Sequence, residues 1–262
     1  MSDKIIGIIG LGNMGTAIAE GFIGAGISSN KIIASGRDLN KLNKKADNLG
    51  IVAATSNEEV ADKADIIIIA VIPSVIEETL NPIKEQLQGK LVVSVVSRYF
   101  FEEYEQLFTG LNIHHISTIP NTPVAVGEGI FVCEKKHNLS DEEFGLFKDL
   151  FSKIALLQFF DTNLLEVATV ISGCAPAFAD MFIEALGDAG VTYGLTRNEA
   201  YSLAAQMLVG SGKLRNESRK HPGELKDLVT SPGGTTIRGV NSLEEDGFRG
   251  TIIRAVKAIV ES

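Results

Sequence analysis

The chain of 262 residues has no tryptophan, two cysteines and four histidines. Two widely spaced cysteines exclude a disulfide scaffold, so Cys133 and Cys174 read as reduced thiols and small core fillers, which points to a cytoplasmic protein. His114 and His115 are adjacent, without metal-ligand spacing, and His137 and His221 stand alone. No metal site and no catalytic histidine are expected from them. Basic residues are in deficit, 24 Lys and Arg against 33 Asp and Glu, for a formal charge of −9. That balance, without a basic stripe, argues against nucleic acid as a partner. Long apolar runs are missing too: residues 66–73 fit a buried strand and its end, and no membrane partner is expected. Met1-Ser2-Asp3-Lys4 leads straight into the first apolar run, so no signal peptide is expected.

What the chain does have begins with Ile5-Ile6-Gly7-Ile8-Ile9, a β-branched run suited to a buried parallel strand. Gly10-Leu11-Gly12-Asn13-Met14-Gly15 and an amphipathic helical stretch follow. This is G-x-G-x-x-G with a strand before it and a helix after it, the setting of a dinucleotide site. Gly10 permits the tight turn, Gly12 lets a pyrophosphate approach, and Gly15 lets helix and strand pack closely. Gly10, Leu11, Gly12, Asn13 and Met14 are therefore candidate cofactor contacts. The next strand, residues 31–35, ends in Ser35 and is followed by Gly36 and Arg37. A hydroxyl and a guanidinium there suit a 2′-phosphate, whereas an acid would bind ribose hydroxyls, so NADPH is expected and NADH remains possible. Asp38, next in line, can blur that preference.

Strands expected at 51–53, 65–71, 91–96, 114–119, 130–133 and 156–160 alternate with helices. The pattern implies an α/β fold, a Rossmann-type, mostly parallel sheet over residues 1–161. The ligand of such a sheet lies outside the carboxyl ends of its strands. Ala70, Val71, Pro73, Val96 and Ser97 belong to those ends, and Asn57 and Asn121 join them as candidate cofactor contacts.

Beyond Asp161 the strand pattern stops, and residues 162–262 read as all-helical. Pro176 should kink the first long helix, and Thr196-Arg197-Asn198-Glu199 is a capping box for the next. Ala177, Ala179, Ala185, Ala189, Ala204, Ala205 and Gly210 give these helices several apolar faces. A domain this small cannot bury them all alone, which predicts a homodimer through this region. Residues 221–236 read as a short helix with Pro222 at its first position, a Ser231-Pro232-Gly233-Gly234 break, and a further helix capped by Thr235 or Thr236. Free N–H groups at that helix start suit a small carboxylate, and the threonine hydroxyls can serve a reacting atom. The plainer alternative is an ordinary interhelical turn.

Taken together, these segments resemble the pyrroline-5-carboxylate reductase family. The likeness runs from Ile5 to about Val256, through the glycine fingerprint, Ile119-Pro120-Asn121-Thr122-Pro123, the segment Ile171-Ser172-Gly173-Cys174-Ala175-Pro176-Ala177-Phe178, and, most specifically, His221 through Thr236. The resemblance implies an intertwined helical dimer, which can assemble into a ring of dimers, and reduction of the cyclic imine 1-pyrroline-5-carboxylate to proline. It also implies that Ser231, Gly233, Gly234, Thr235 and Thr236 bind this small cyclic imino acid, with the Thr236 hydroxyl at the ring nitrogen as the catalytic contact.

Five positions depart from the family pattern: Ile72 replaces a lysine, Arg98 a glycine, Cys174-Ala175 a serine-glycine pair, and Arg219 an acid found in some members. Two alternatives follow, a divergent member reducing another cyclic imine and a non-catalytic dinucleotide-binding paralogue. A β-hydroxy acid dehydrogenase would need a catalytic lysine, and Lys213, Lys220 and Lys226 have no convincing setting for one.

Overall fold

The structure, a computed structural model, describes residues 4–261. The chain forms β1 (Ile6–Ile9), α1 (Asn13–Gly24), β2 (Ile32–Ser35), α2 (Leu39–Leu49), β3 (Val52–Ala53), α3 (Asn57–Lys63), β4 (Ile66–Ile69), α4 (Ile76–Leu80), β5 (Leu91–Ser94) and α5 (Phe101–Leu107). Then come β6 (His114–Pro120), β7 (Gly129–His137), α6 (Asp141–Phe151) and β8 (Ala155–Phe160). The eight strands make one sheet in the order β3-β2-β1-β4-β5-β6-β7-β8. Neighbours run parallel except β6 and β7, which pair antiparallel, so β7 and β8 point against the rest. The order 3-2-1-4-5-6 is that of a dinucleotide-binding sheet, as the strand–helix alternation predicts.

Both faces of the sheet centre are covered, which is why β1, β2, β4 and β5 are buried end to end rather than alternating. In β4 all four isoleucines are buried: Ile66 and Ile68 pack into one core with Phe22, Phe131, Phe147 and Phe151, and Ile67 and Ile69 into the other with Tyr104 and Phe108. Cys133 lies in the first core, a small filler as expected, and burial pushes its thiol pKa up. His115, too, is buried, ringed by Phe101, Tyr104 and Phe108, and desolvation lowers its pKa, keeping it neutral.

The compact units are residues 1–173 and 174–262. The sheet unit therefore keeps α7 (Leu165–Thr169) and the π-helical turn Val170–Cys174 as far as Gly173, although the strands end at 160. Side chains explain this. Thr162 donates to the buried Glu134 of β7 at 2.6 Å, and Asn121 Nδ2 donates to the Ser172 carbonyl at 2.9 Å. Pro176 has no N–H for the carbonyl four residues back, which is that of Ser172. Asn121 supplies the missing donor, so the expected kink takes the form of a widened turn immediately before Pro176.

The second unit holds α8 (Pro176–Thr192), α9 (Arg197–Ser218), α10 (Pro222–Asp227), α11 (Thr235–Glu245) and α12 (Phe248–Val260). Thr196 and Glu199 form the expected capping box. Close packing of α8 on α9 requires glycine: a Cβ at Gly187 would lie 2.3 Å from the Tyr201 ring, and one at Gly190 2.8 Å from Ala200 Cβ. Elsewhere the apolar faces are bare, with Met181, Leu203 and Ile253 each more than 60 % exposed. One expectation is corrected here. The helical run Thr162–Thr192 is long and apolar enough to cross a membrane by length and composition. Charged Asp180 and Glu184 interrupt that run along the sequence, so it does not stand out as an unbroken apolar stretch. A helix whose apolar face belongs against another helix passes the same test.

Candidate functional site

The first site grows from the loop between β1 and α1. Gly10 has φ +101° and its added Cβ would lie 2.6 Å from the Ala70 carbonyl, so the tight turn admits no side chain. A Cβ at Gly15 would lie 2.4 Å from the Gly10 carbonyl. At Gly12 an added Cβ meets nothing within 4 Å. Two glycines of the fingerprint are thus demanded by the protein itself, and the middle one only by something that fills the space beside it. Gly12 is the N-cap of α1 and no side chain caps the helix, so its first-turn N–H groups remain available to an anion.

These groups open onto a cleft of about 490 Å³ at the carboxyl ends of β1, β2 and β4. Gly10, Leu11, Gly12, Arg37, Asn57, Ala70 and Val71 line it, seven of the expected cofactor contacts. Asn13 and Met14 are the first two residues of α1 and do not line the cleft. Ser35 is placed differently: it is buried, its hydroxyl donates to Asn57 Oδ1 at 2.6 Å, and its carbonyl accepts from the Gly10 and Leu11 N–H groups. It shapes the loop from beneath rather than facing the cleft. Pro73, Val96, Ser97 and Asn121 do not line the cleft. Val96 is buried with its N–H on Ser94 Oγ, Ser97 is exposed beyond β5, and Asn121 is committed to Ile130 and Ser172.

Three basic residues, Arg37, Lys41 and Lys45, outnumber Asp38 and Glu78 along the cleft, a balance that favours an anion. Arg37 is exposed on the wall with no hydrogen-bond or ion-pair partner among the described residues. Asp38, which threatened to offset it, is the N-cap of α2 and accepts from the Asn40 and Lys41 N–H groups, each at 3.1 Å. The Lys41 backbone N–H, first among these contacts, holds its carboxyl below the usual range. Lys41 Nζ lies 3.6 Å away. The acid is thus occupied by its own helix. Lys41 and Lys45 also line the cleft and were not among the expected contacts, although their spacing of four on the helix after β2 puts them on one face.

The second constellation lies within the helical unit. Pro222 is the first residue of α10 and His221 is its N-cap, with Nδ1 accepting from the Gly223 N–H at 3.0 Å, so this histidine serves the backbone. Ser231-Pro232-Gly233-Gly234 makes the break, closed by Gly234 N–H on the Ser231 carbonyl at 3.0 Å, with Gly233 at φ +69°. The cap of α11 is Gly234 and not either threonine: Thr235 and Thr236 occupy the first two helical positions and make no capping bond. Glycine fits because a Cβ at Gly234 would lie 2.4 Å from Ser231 Oγ. The consequence is an exposed helix start flanked by two hydroxyls without a hydrogen-bond partner among the described residues.

Arg98, where the resemblance expects glycine, retains the glycine conformation at φ +58°, and Arg219 ends α9 at φ +54°. Both arginines are in a left-handed backbone that disfavours side chains.

Sheet order, glycine loop and anion-receptive cleft together define a dinucleotide-binding α/β protein. Comparison with known proteins narrows the class. Residues 162–262 match the family model for pyrroline-5-carboxylate reductase dimerisation, and residues 5–98 match that for NADP oxidoreductase, coenzyme F420-dependent. The chain is 41% identical to pyrroline-5-carboxylate reductase of Treponema pallidum over 98% of its own length and 99% of that protein. It is 37% identical to the Escherichia coli enzyme, covering 99% and 97%. A crystal structure of Plasmodium falciparum pyrroline carboxylate reductase with NADP bound superposes with a TM-score of 0.85 at 34% identity, covering 100% of this chain and 97% of that one. The chain belongs to the pyrroline-5-carboxylate reductase family.

Proposed function

We propose that the chain reduces 1-pyrroline-5-carboxylate to L-proline with NADPH, NADH being the weaker donor, in proline biosynthesis. The observation that carries this is the uncapped start of α11, with free Thr235 and Thr236 hydroxyls, in a chain whose full length aligns with reductases of this substrate. The residues present fit the dinucleotide: open space beside Gly12 receives the pyrophosphate on the first turn of α1, and unpartnered Arg37 meets the 2′-phosphate. When bound, the nicotinamide supplies a hydride. Ser231, Gly233, Gly234, Thr235 and Thr236 form the substrate site, the carboxylate resting chiefly on the Thr235 and Thr236 N–H groups because the Gly234 N–H is already on the Ser231 carbonyl. The Thr236 hydroxyl hydrogen-bonds the ring nitrogen, orienting the C=N bond as its carbon gains hydride and its nitrogen keeps a proton. An iminium is a ready hydride acceptor, so orientation is the main task left to the protein.

The bare faces of α8, α9 and α12 support a homodimer through the helical unit, and a ring of such dimers is the larger assembly proposed. Free Cys133 and Cys174 support a cytoplasmic setting.

A second reading, a family member with altered substrate or lost turnover, is favoured by one observation: Arg98 holds a glycine conformation at the end of β5. NADPH oxidation against a panel of cyclic imino acids, with NADH in parallel, separates the two. Turnover best with the five-membered imine supports the main reading. Tight NADPH binding without turnover of any imine overturns it.

A further inference from the structure

The glycine loop has a fastening that the family fingerprint does not contain. Lys45, in the second half of α2, reaches back with its half-buried stem. Its Nζ donates to the Leu11 carbonyl at 3.1 Å, the Gly12 carbonyl at 3.2 Å and Thr16 Oγ1 at 3.1 Å. Thr16 closes the group by donating to the same Gly12 carbonyl at 2.6 Å. An ammonium has three hydrogens, and all three are used on the glycine loop and the first turn of α1.

Peptide planarity gives this contact a consequence. The carbonyl of Gly12 and the N–H of Asn13 belong to one trans peptide unit and point in opposite directions. The Gly12 carbonyl accepts the Thr16 N–H of α1 at 3.1 Å, and Lys45 adds a second fastening to it from α2, so the two together aim the Asn13 N–H away from Lys45. The preceding unit cannot do this job, because the Gly12 N–H is already engaged with the Gly10 carbonyl at 2.8 Å. Asn13 is the first residue of α1, and its N–H is one of the helix-start donors on which a pyrophosphate is expected.

Charge points the same way. Lys41, one turn earlier, pairs with Asp38. Lys45 has no carboxylate partner among the described residues, and its three acceptors are all neutral. Its positive charge therefore remains beside the loop and adds to the helix-start potential.

We propose that Lys45 is a positioning residue for the dinucleotide, holding the Gly12–Asn13 peptide in its phosphate-binding orientation from the α2 wall of the cleft and serving NADPH and NADH alike. This rests on the dinucleotide reading above and differs from the role of Arg37, which distinguishes the two cofactors. The test uses the full-length protein with Lys45→Met, which keeps the apolar stem and removes the donors, and Lys45→Arg, which keeps donors. Dissociation constants for NADPH and for NADH are measured with the melting temperature of each cofactor-free protein. The expected result is a rise of about tenfold in both constants for Lys45→Met, with their ratio unchanged, and a smaller rise for Lys45→Arg. Loss confined to NADPH would overturn the proposal, making Lys45 a 2′-phosphate contact. A lower melting temperature with both constants unchanged would overturn it as well, leaving Lys45 a structural tether. Wild-type protein binding neither dinucleotide would defeat the underlying cofactor reading, whereas wild-type binding with an unaltered variant defeats only the role of Lys45.

Discussion

Replacing Gly12 and Gly15 separately by alanine divides the fingerprint into its two physical roles. At Gly15 the new methyl would lie 2.4 Å from the Gly10 carbonyl and 3.1 Å from Ile8 Cγ2, so strand and helix must separate. Overpacking of this kind costs about 1–3 kcal/mol. For a chain of this size that lowers the melting temperature by roughly 2–12 °C. At Gly12 the methyl meets nothing within 4 Å, and φ is −76°, which alanine adopts freely. Stability should change by no more than about 0.5 kcal/mol. Yet the same methyl occupies the space a pyrophosphate needs to reach the first turn of α1. A displacement that loses about 2 kcal/mol of phosphate contact raises the NADPH dissociation constant roughly thirtyfold. Thermal unfolding and cofactor titration on both variants provide the assay. Gly12→Ala binding NADPH within twofold of wild type would refute the reasoning, because no phosphate could then lie on that loop.

Arg37→Ala should weaken NADPH roughly ten- to hundredfold through loss of a charge-assisted contact and leave NADH nearly unchanged; equal losses in titrations with both would remove Arg37 from the 2′-phosphate. Thr236→Ala should lower turnover about tenfold to a thousandfold with NADPH binding intact. Because Gly234 and not Thr236 caps α11, its melting temperature should also hold, and an unchanged kcat would end the catalytic assignment. Arg98→Gly should raise the melting temperature, since relief of a left-handed conformation at φ +58° outweighs the added chain entropy by about 0.5 kcal/mol. A lower value would mean that the arginine side chain makes a stabilising contact.

Much of this protein is legible in the order of its residues. The strand–G-x-G-x-x-G–helix order announces the sheet unit because a buried parallel strand, a tight turn and a close helix each restrict residue type locally. Pro222, His221 and the Ser231–Gly234 break are legible for the same reason, as proline and glycine act on their own backbone. The bare helical faces follow from the density of small apolar residues beyond Asp161. What tertiary structure alone decided concerns groups distant in sequence. Ser35 has the composition of a phosphate contact, but a buried hydrogen bond to Asn57 turns it beneath the loop. Asp38 has the composition of a rival to Arg37, yet it spends its charge on the start of α2. Asn121 lies far along the chain from the carbonyl that Pro176 leaves without a donor, and only the fold brings them to 2.9 Å. Lys45 is one of several lysines in its stretch of sequence, and only the packing of α2 against α1 brings its stem to the glycine loop. Sequence determines what each residue does to its own backbone and which faces must be covered; hydrogen-bond partners and the direction of a charge depend on distances that only the packed chain sets.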